Sequence, residues 1–126
     1  MDSNVAEAVS GFAKTMGLNN FKIPSSGIIQ FSFENGGTFF VEDKDQGTAV
    51  YLLRELPEHE VDDKATLALQ LCHYKESRSF DVQSALYDTS KLVFLIWLPH
   101  AEISTPKIEE ALQHLVRMHE KVEKAG

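Results

Sequence analysis

Five histidines, one cysteine and nineteen acidic residues are the side chains of this 126-residue chain best suited to chemistry, as metal ligands, nucleophile, or acid and base. Their spacing argues against each use. His114 and His119 lie five positions apart, about 140° round a helix, whereas two ligands on one face need a separation near four. Cys72 and His73 are adjacent, and neighbours on a helix point about 100° apart, so the imidazole cannot readily act as base to the thiol. Cys72 reads as a small core hydrophobe. His59 and His100 read as loop residues, His73 and His114 as solvated helix positions, and His119 as the edge of a core stripe. The run Asp43-Lys44-Asp45-Gln46-Gly47 begins like a calcium loop but puts Thr48 and Arg54 where that loop requires Gly and Glu. It reads as a hairpin turn. Gly36-Gly37 lacks the Lys-Ser/Thr of a phosphate loop and leads into a strand, and Ser25-Ser26-Gly27 is not the G-x-S-x-G of a nucleophile elbow. Glu109-Glu110 and Glu58-His59-Glu60 read as solvated charge. A carboxylate or His site assembled in space stays open as an enzymatic alternative. No catalytic residue, metal or cofactor is expected.

The elements that would position these residues are legible in the apolar spacing. Val5, Ala8, Val9, Phe12, Ala13 and Met16 recur at threes and fours, one stripe of a helix, with Gly17 as its C-terminal stop. After Pro24 and Gly27 the period changes to two: Ile29, Phe31 and Phe33 alternate with Gln30, Ser32 and Glu34, a strand with one wet face. Asn35-Gly36-Gly37 suits a tight hairpin, Thr38 to Glu42 is the return strand, and Thr48 to Glu55 a third. Asp62 or Asp63 would cap a second helix from about Lys64 to Tyr74. That helix is apolar nearly all round, which asks for cover on more than one side. Phe80, Val82 and Ala85 to Tyr87 suggest a fourth strand, and Leu92 to Leu98 a fifth, buried on both faces and ended by Pro99. Thr105-Pro106 reads as cap and first turn of a last helix, with Ile108, Leu112, Leu115, Val116, His119 and Val122 on one face. Short turns between consecutive strands favour an antiparallel sheet. The fold class is α+β, order α-βββ-α-ββ-α, in one domain over residues 1–126.

Composition sets further bounds. With 43% hydrophobic and 25% charged residues the chain falls in the globular class rather than the disordered one. Twelve Lys+Arg against nineteen Asp+Glu give a net charge of −7, which opposes nucleic-acid binding. The start, Met1-Asp2-Ser3-Asn4, has neither the positive nor the apolar segment of a secretory signal. The longest apolar run, Leu92 to Leu98, is far short of the roughly 20 residues that span a bilayer. A cytoplasmic protein without membrane insertion is expected.

The hairpin carries apolar residues on both faces. Phe31, Phe33, Phe39 and Val41 face one way while Ile28, Phe40, Tyr51 and Leu53 are left over, more than three short helices would cover. Surplus apolar surface marks an interaction site, and a strand edge can accept an extended peptide. A chaperone of other polypeptides should show shallow apolar grooves, an enzyme a deep polar pocket, and a purely structural dimerisation module neither.

Phe12-Ala13-Lys14-Thr15-Met16-Gly17-Leu18, Gly27 with its Phe-rich hairpin, the Leu-rich middle helix, and Leu92 to Pro99 before an amphipathic last helix resemble the class I type III secretion chaperones. The resemblance covers nearly the whole chain. Pro24-Ser25-Ser26, Gly36-Gly37-Thr38 and Leu92-Val93-Phe94-Leu95 with the Leu112 to Val122 helix are most similar to the SycN-like branch. The resemblance implies a bacterial cytoplasmic dimer that binds the N-terminal segment of a secreted effector or gatekeeper without catalysis. Its second subunit would be a copy of the chain or a different small chaperone. It further implies a dimer interface at Leu67, Leu71, Tyr74, Phe80 and Val82, and a client groove at Phe12, Met16, Leu18, Phe21, Ile29, Phe31, Phe33 and Phe39. A one-residue register error would exchange the two sheet faces.

Overall fold

The computed structural model describes residues 2–18, 21–34, 36–73 and 80–124. Helix α1, Ser3–Thr15, starts where the Asp2 carboxylate accepts the Asn4 amide at 2.8 Å and buries the stripe Val5, Ala8, Val9, Phe12 and Ala13. It stops at Gly17, whose φ of +86° lets Leu18 N–H reach Ala13 C=O and Gly17 N–H reach Lys14 C=O, the paired closure that a left-handed glycine permits.

Five antiparallel strands follow: β1 Ile28–Phe33, β2 Gly37–Lys44, β3 Gly47–Glu55, β4 Val82–Tyr87 and β5 Lys91–Pro99, side by side in the order β1-β2-β3-β5-β4. Gly37 turns the first hairpin at φ +91°, with the Leu53 carbonyl where a Cβ would stand. Asp43 and Lys44 pair in β2, so the second turn is tighter than the run Asp43 to Gly47 predicts. One sheet face carries Ile29, Phe31, Phe39, Val41, Val50, Leu52 and the even positions Leu92 to Leu98, all buried. Against it pack α1 and α3, Thr105–Lys124, the latter through Ile108, Ala111, Leu115, Met118 and Val122. Helix α2, Val61–His73, flanks α3 and β4.

Several expectations are corrected. β5 is not buried on both faces: its odd positions Val93 and Leu95 are half-buried and Trp97 is exposed, because helices cover one side of the sheet. Helix α2 starts at Val61, placing Asp62 and Asp63 inside its first turn rather than at its cap, where they still favour the positive end of the dipole. The cap of α3 is Ser104, whose hydroxyl accepts Lys107 N–H at 3.1 Å; Thr105 instead donates to Ala8 C=O at 2.8 Å, tying α3 to α1 where Gly11 leaves room. His114 is half-buried beside the Phe80 ring rather than solvated. His119 is not at an edge but 1% exposed, its Nε2 2.8 Å from Leu52 C=O and its ring edge-on to Phe94. Lys64 is buried too, donating to Val122 C=O at 2.8 Å near the end of α3.

Candidate functional site

Among the described residues, three apolar surfaces remain after the core is formed. The first lies where α1 ends beside β1. Met16 and Leu18 are 41% and 44% exposed there, and Phe21 and Phe33 are partly buried against the core. Beneath them Phe12, Ile29, Phe31 and Phe39 are buried. Phe12 meets Phe31 edge-on at 5.1 Å and Phe39 at 5.7 Å, while Phe21 stacks on Phe31 at 5.8 Å. The eight residues assigned to a groove thus divide into an accessible rim of four and a floor of four. The floor residues cannot touch a partner while α1 is seated on the sheet, since that helix occupies the surface that an alternating strand offers.

The second surface is the face of the sheet opposite the helices. The register aligns Gln30, Phe40, Tyr51, Leu95 and Gln83 across all five strands, and a parallel row runs Ser32, Thr38, Leu53, Val93 and Ala85. Trp97, 45% exposed, sits at one end of this face, its indole over Gly47. Phe40 and Tyr51 stack at 4.8 Å. The Tyr51 hydroxyl donates to Glu42 at 3.1 Å, and Lys44 pairs with the same carboxylate at 2.7 Å. Burial, reinforced by the Glu42 hydrogen bond, pushes the Tyr51 hydroxyl up to about 12, and the Lys44 bond holds the Glu42 carboxyl below its ordinary range. The apolar residues left over by the hairpin pattern, Ile28, Phe40, Tyr51 and Leu53, all lie on this face. Trp97, Val93 and Leu95 belong with them but escaped sequence reasoning, because an unbroken apolar run has no period from which to read a wet face.

The third surface runs between α2 and β4. Leu69 and Leu86 are 53% and 43% exposed and, with Ala65, Ser84, Ala85 and Leu92, line a cavity of about 220 Å³. Of the five residues assigned to a subunit interface, Leu67 and Leu71 are half-buried, Phe80 and Val82 are buried, and Tyr74 lies outside the described residues. Leu69 and Leu86 were missed. Leu86 shares the inward parity of Val82 but is less covered, and nothing in a strand's alternation tells how far a helix reaches along it.

No three His, Cys, Asp or Glu side chains among the described residues are placed to hold a metal ion. No helix among them is long and apolar enough to cross a membrane.

Residues 4–123 match the family described as type III secretory system chaperone SycN. The chaperone protein SycN of Yersinia enterocolitica is 25% identical over 114 residues, covering 90% of this chain and 92% of that protein. Among solved structures, the Yersinia pestis type III secretion chaperone SycH, in complex with a stable fragment of YscM2, superposes with a TM-score of 0.70 at 11% identity, covering 98% of this chain and all of that one. The HopA1–SchA chaperone–effector complex superposes with a TM-score of 0.65 at 13% identity, covering 98% of each chain. At these identities the two structures establish the shared fold.

Proposed function

The chain belongs to the type III secretory system chaperone SycN family, and we propose that it works as a dimer in the bacterial cytoplasm, holding the N-terminal segment of a secreted effector or gatekeeper ready for export. The observation that carries this reading is the half-exposed apolar sheet face of Phe40, Tyr51, Leu53, Val93, Leu95 and Trp97, together with the Met16–Leu18 rim. The solved relatives support it, since SycH was captured with a fragment of YscM2 and SchA with HopA1.

The geometry divides the client's task. Backbone groups of β2, β3 and β5 are already paired with neighbouring strands, so a segment lying on the sheet face must satisfy its own backbone, as an amphipathic helix does. The outer edge of β1 is unpaired within the sheet and can take an extended segment as an added strand, its side chains reaching the Met16, Leu18, Phe21 and Phe33 rim. Binding is then masking: the client loses conformational freedom and gains burial over a long contact. The reading involves no covalent chemistry and no cofactor, and residues 1–126 act as one domain. The groove assignment becomes the rim of four, with Phe12, Ile29, Phe31 and Phe39 shaping its floor. The second subunit, a copy or a different small chaperone, covers the α2–β4 surface, including Leu67 and Leu71 and the neighbourhood of Phe80 and Val82.

The test is titration calorimetry of the dimer against the N-terminal segments of the proteins secreted by the same system. One segment should bind, and Trp97→Ala should weaken it by at least about 1 kcal/mol, as loss of an aromatic anchor does. Binding of no segment by the intact dimer would overturn the function. Undiminished affinity in a folded Trp97→Ala protein would remove the sheet face from the site.

A further inference from the structure

At the end of the sheet where Gly47 pairs with Pro99, three segments converge on one histidine. His100 lies in the short 3₁₀ turn His100–Glu102 between β5 and α3, with Nε2 2.8 Å from Asp43 Oδ1 and Nδ1 4.0 Å from Asp2 Oδ2. Its carbonyl accepts the Asn4 side-chain amide at 3.2 Å. Asp43, in β2, also accepts the Asp2 backbone N–H at 3.1 Å and the Thr48 hydroxyl at 3.3 Å. Asp2 is at the same time the cap of α1, accepting the amides of Asn4 and Val5. The first turn of α1 is therefore joined to the second hairpin through two carboxylates with an imidazole between them.

From these contacts we infer that His100 is a proton-operated latch, fastening the first turn of α1 to the β2–β3 hairpin when its ring carries both protons. The reason is the inventory of the ring. A neutral imidazole has one donor and one acceptor nitrogen. With Nε2–H directed at Asp43, neutral Nδ1 turns a lone pair toward the Asp2 carboxylate. Protonation replaces that lone pair with a donor, and both nitrogens then face carboxylates of different elements. The surrounding charge favours this state. Asp2 faces the ring from the cap of α1 and Asp43 from β2, Asp45 of the hairpin turn lines the same cavity, Glu102 is in the ring's own turn, and Lys44, the cation of that cavity among the described residues, is paired with Glu42 at 2.7 Å. The hydrogen bond with Asp43, with the charges of Asp43 and Asp2 and the backbone of Gly47 added, raises the imidazole above its ordinary value against a smaller opposing effect of burial. The sign follows: the latch is closed at low pH and opens as pH rises through the raised value. The latch is a property of this chain alone and does not rest on what the chaperone binds.

Nuclear magnetic resonance of the full-length, isotopically labelled protein tests it. The His100 ring should titrate above the ordinary 6.5. Across that titration, protection of the α1 first-turn amides, corrected for intrinsic exchange, should fall by roughly threefold, the scale of one partly exposed ion pair. In Asp2→Asn, which still caps the helix, the protection should lose its dependence on pH while His100 stays near Asp43. His100→Gln should show reduced protection at every pH. Titration of His100 at or below 6.5 would overturn the latch, as would an unchanged pH dependence in Asp2→Asn.

Discussion

His119 shows how much one buried polar ring can impose. Its neutral form fits the core, where Nε2–H donates to Leu52 C=O and the ring packs on Phe94. A charged ring would lose its hydration there, so burial lowers its value to about 4 from 6.5. The unfolded chain therefore takes up the proton first on acidification. The contribution of this group is complete above pH 6.5 and is lost as pH falls from there toward 4, by about 3 kcal/mol for a shift of this size. Urea unfolding of the wild-type protein should show that slope. His119→Gln should lower stability near pH 7 by about 1 kcal/mol or more and flatten the slope, whereas an equal slope in both proteins would place the proton uptake elsewhere. Sequence reading put His119 on the core stripe but not in the interior, since periodicity identifies a face and says nothing of the depth to which packing carries it.

At the scale of elements, the β4–β5 turn holds the positive-φ residues other than glycine among the described residues. Asp88 and Thr89 both take positive φ, 56° and 63°, as a tight twisted hairpin requires. Asp tolerates that region, but a β-branched Thr crowds its own backbone there. Thr89→Gly should therefore raise stability by up to about 1 kcal/mol, the steric relief exceeding the extra unfolded-chain entropy of glycine. Thermal melting gives the answer, and a lower midpoint in the variant would mean that Thr89 makes a compensating contact. The elements themselves were largely legible. Helix α1 and strand β1 follow from the change of period from three-and-four to two, and β2 and β3 from the turn residues that bound them. The α3 cap was misplaced by one residue because Ser104 and Thr105 are both good caps, and the one that does not cap is claimed by Ala8 of a helix distant in sequence. Local chemistry cannot foresee that partner.

For the whole molecule, the question is how much apolar surface one chain leaves uncovered. Leu69 and Leu86 stand out on one flank, and Tyr87 and Trp97 on the open sheet face, a distribution that points to covering by other chains. The proposed subunit contact predicts that the wild-type protein elutes and scatters light as a dimer, alone or with its partner chaperone. Leu69→Asp together with Leu86→Asp should shift it to monomer by at least tenfold in dissociation constant, since buried charges without partners are costly. A dimer of unchanged strength in the doubly substituted, folded protein would move the interface off this flank.

The class of fold, the order of elements, the excess of apolar residues on the first hairpin and the lack of any spaced catalytic motif are legible without coordinates, because each is written in local periodicity or in counts. Which face of the sheet the helices cover is settled only by packing. That choice sends Ile29, Phe31 and Phe39 into the core and leaves Phe40, Tyr51 and Leu53 with Val93, Leu95 and Trp97 outside. Packing also brings Asp2, Asp43 and His100 together from across the chain. The physical reason is that alternation along a strand defines two faces without labelling either, and the label comes only from the helices that pack against one of them.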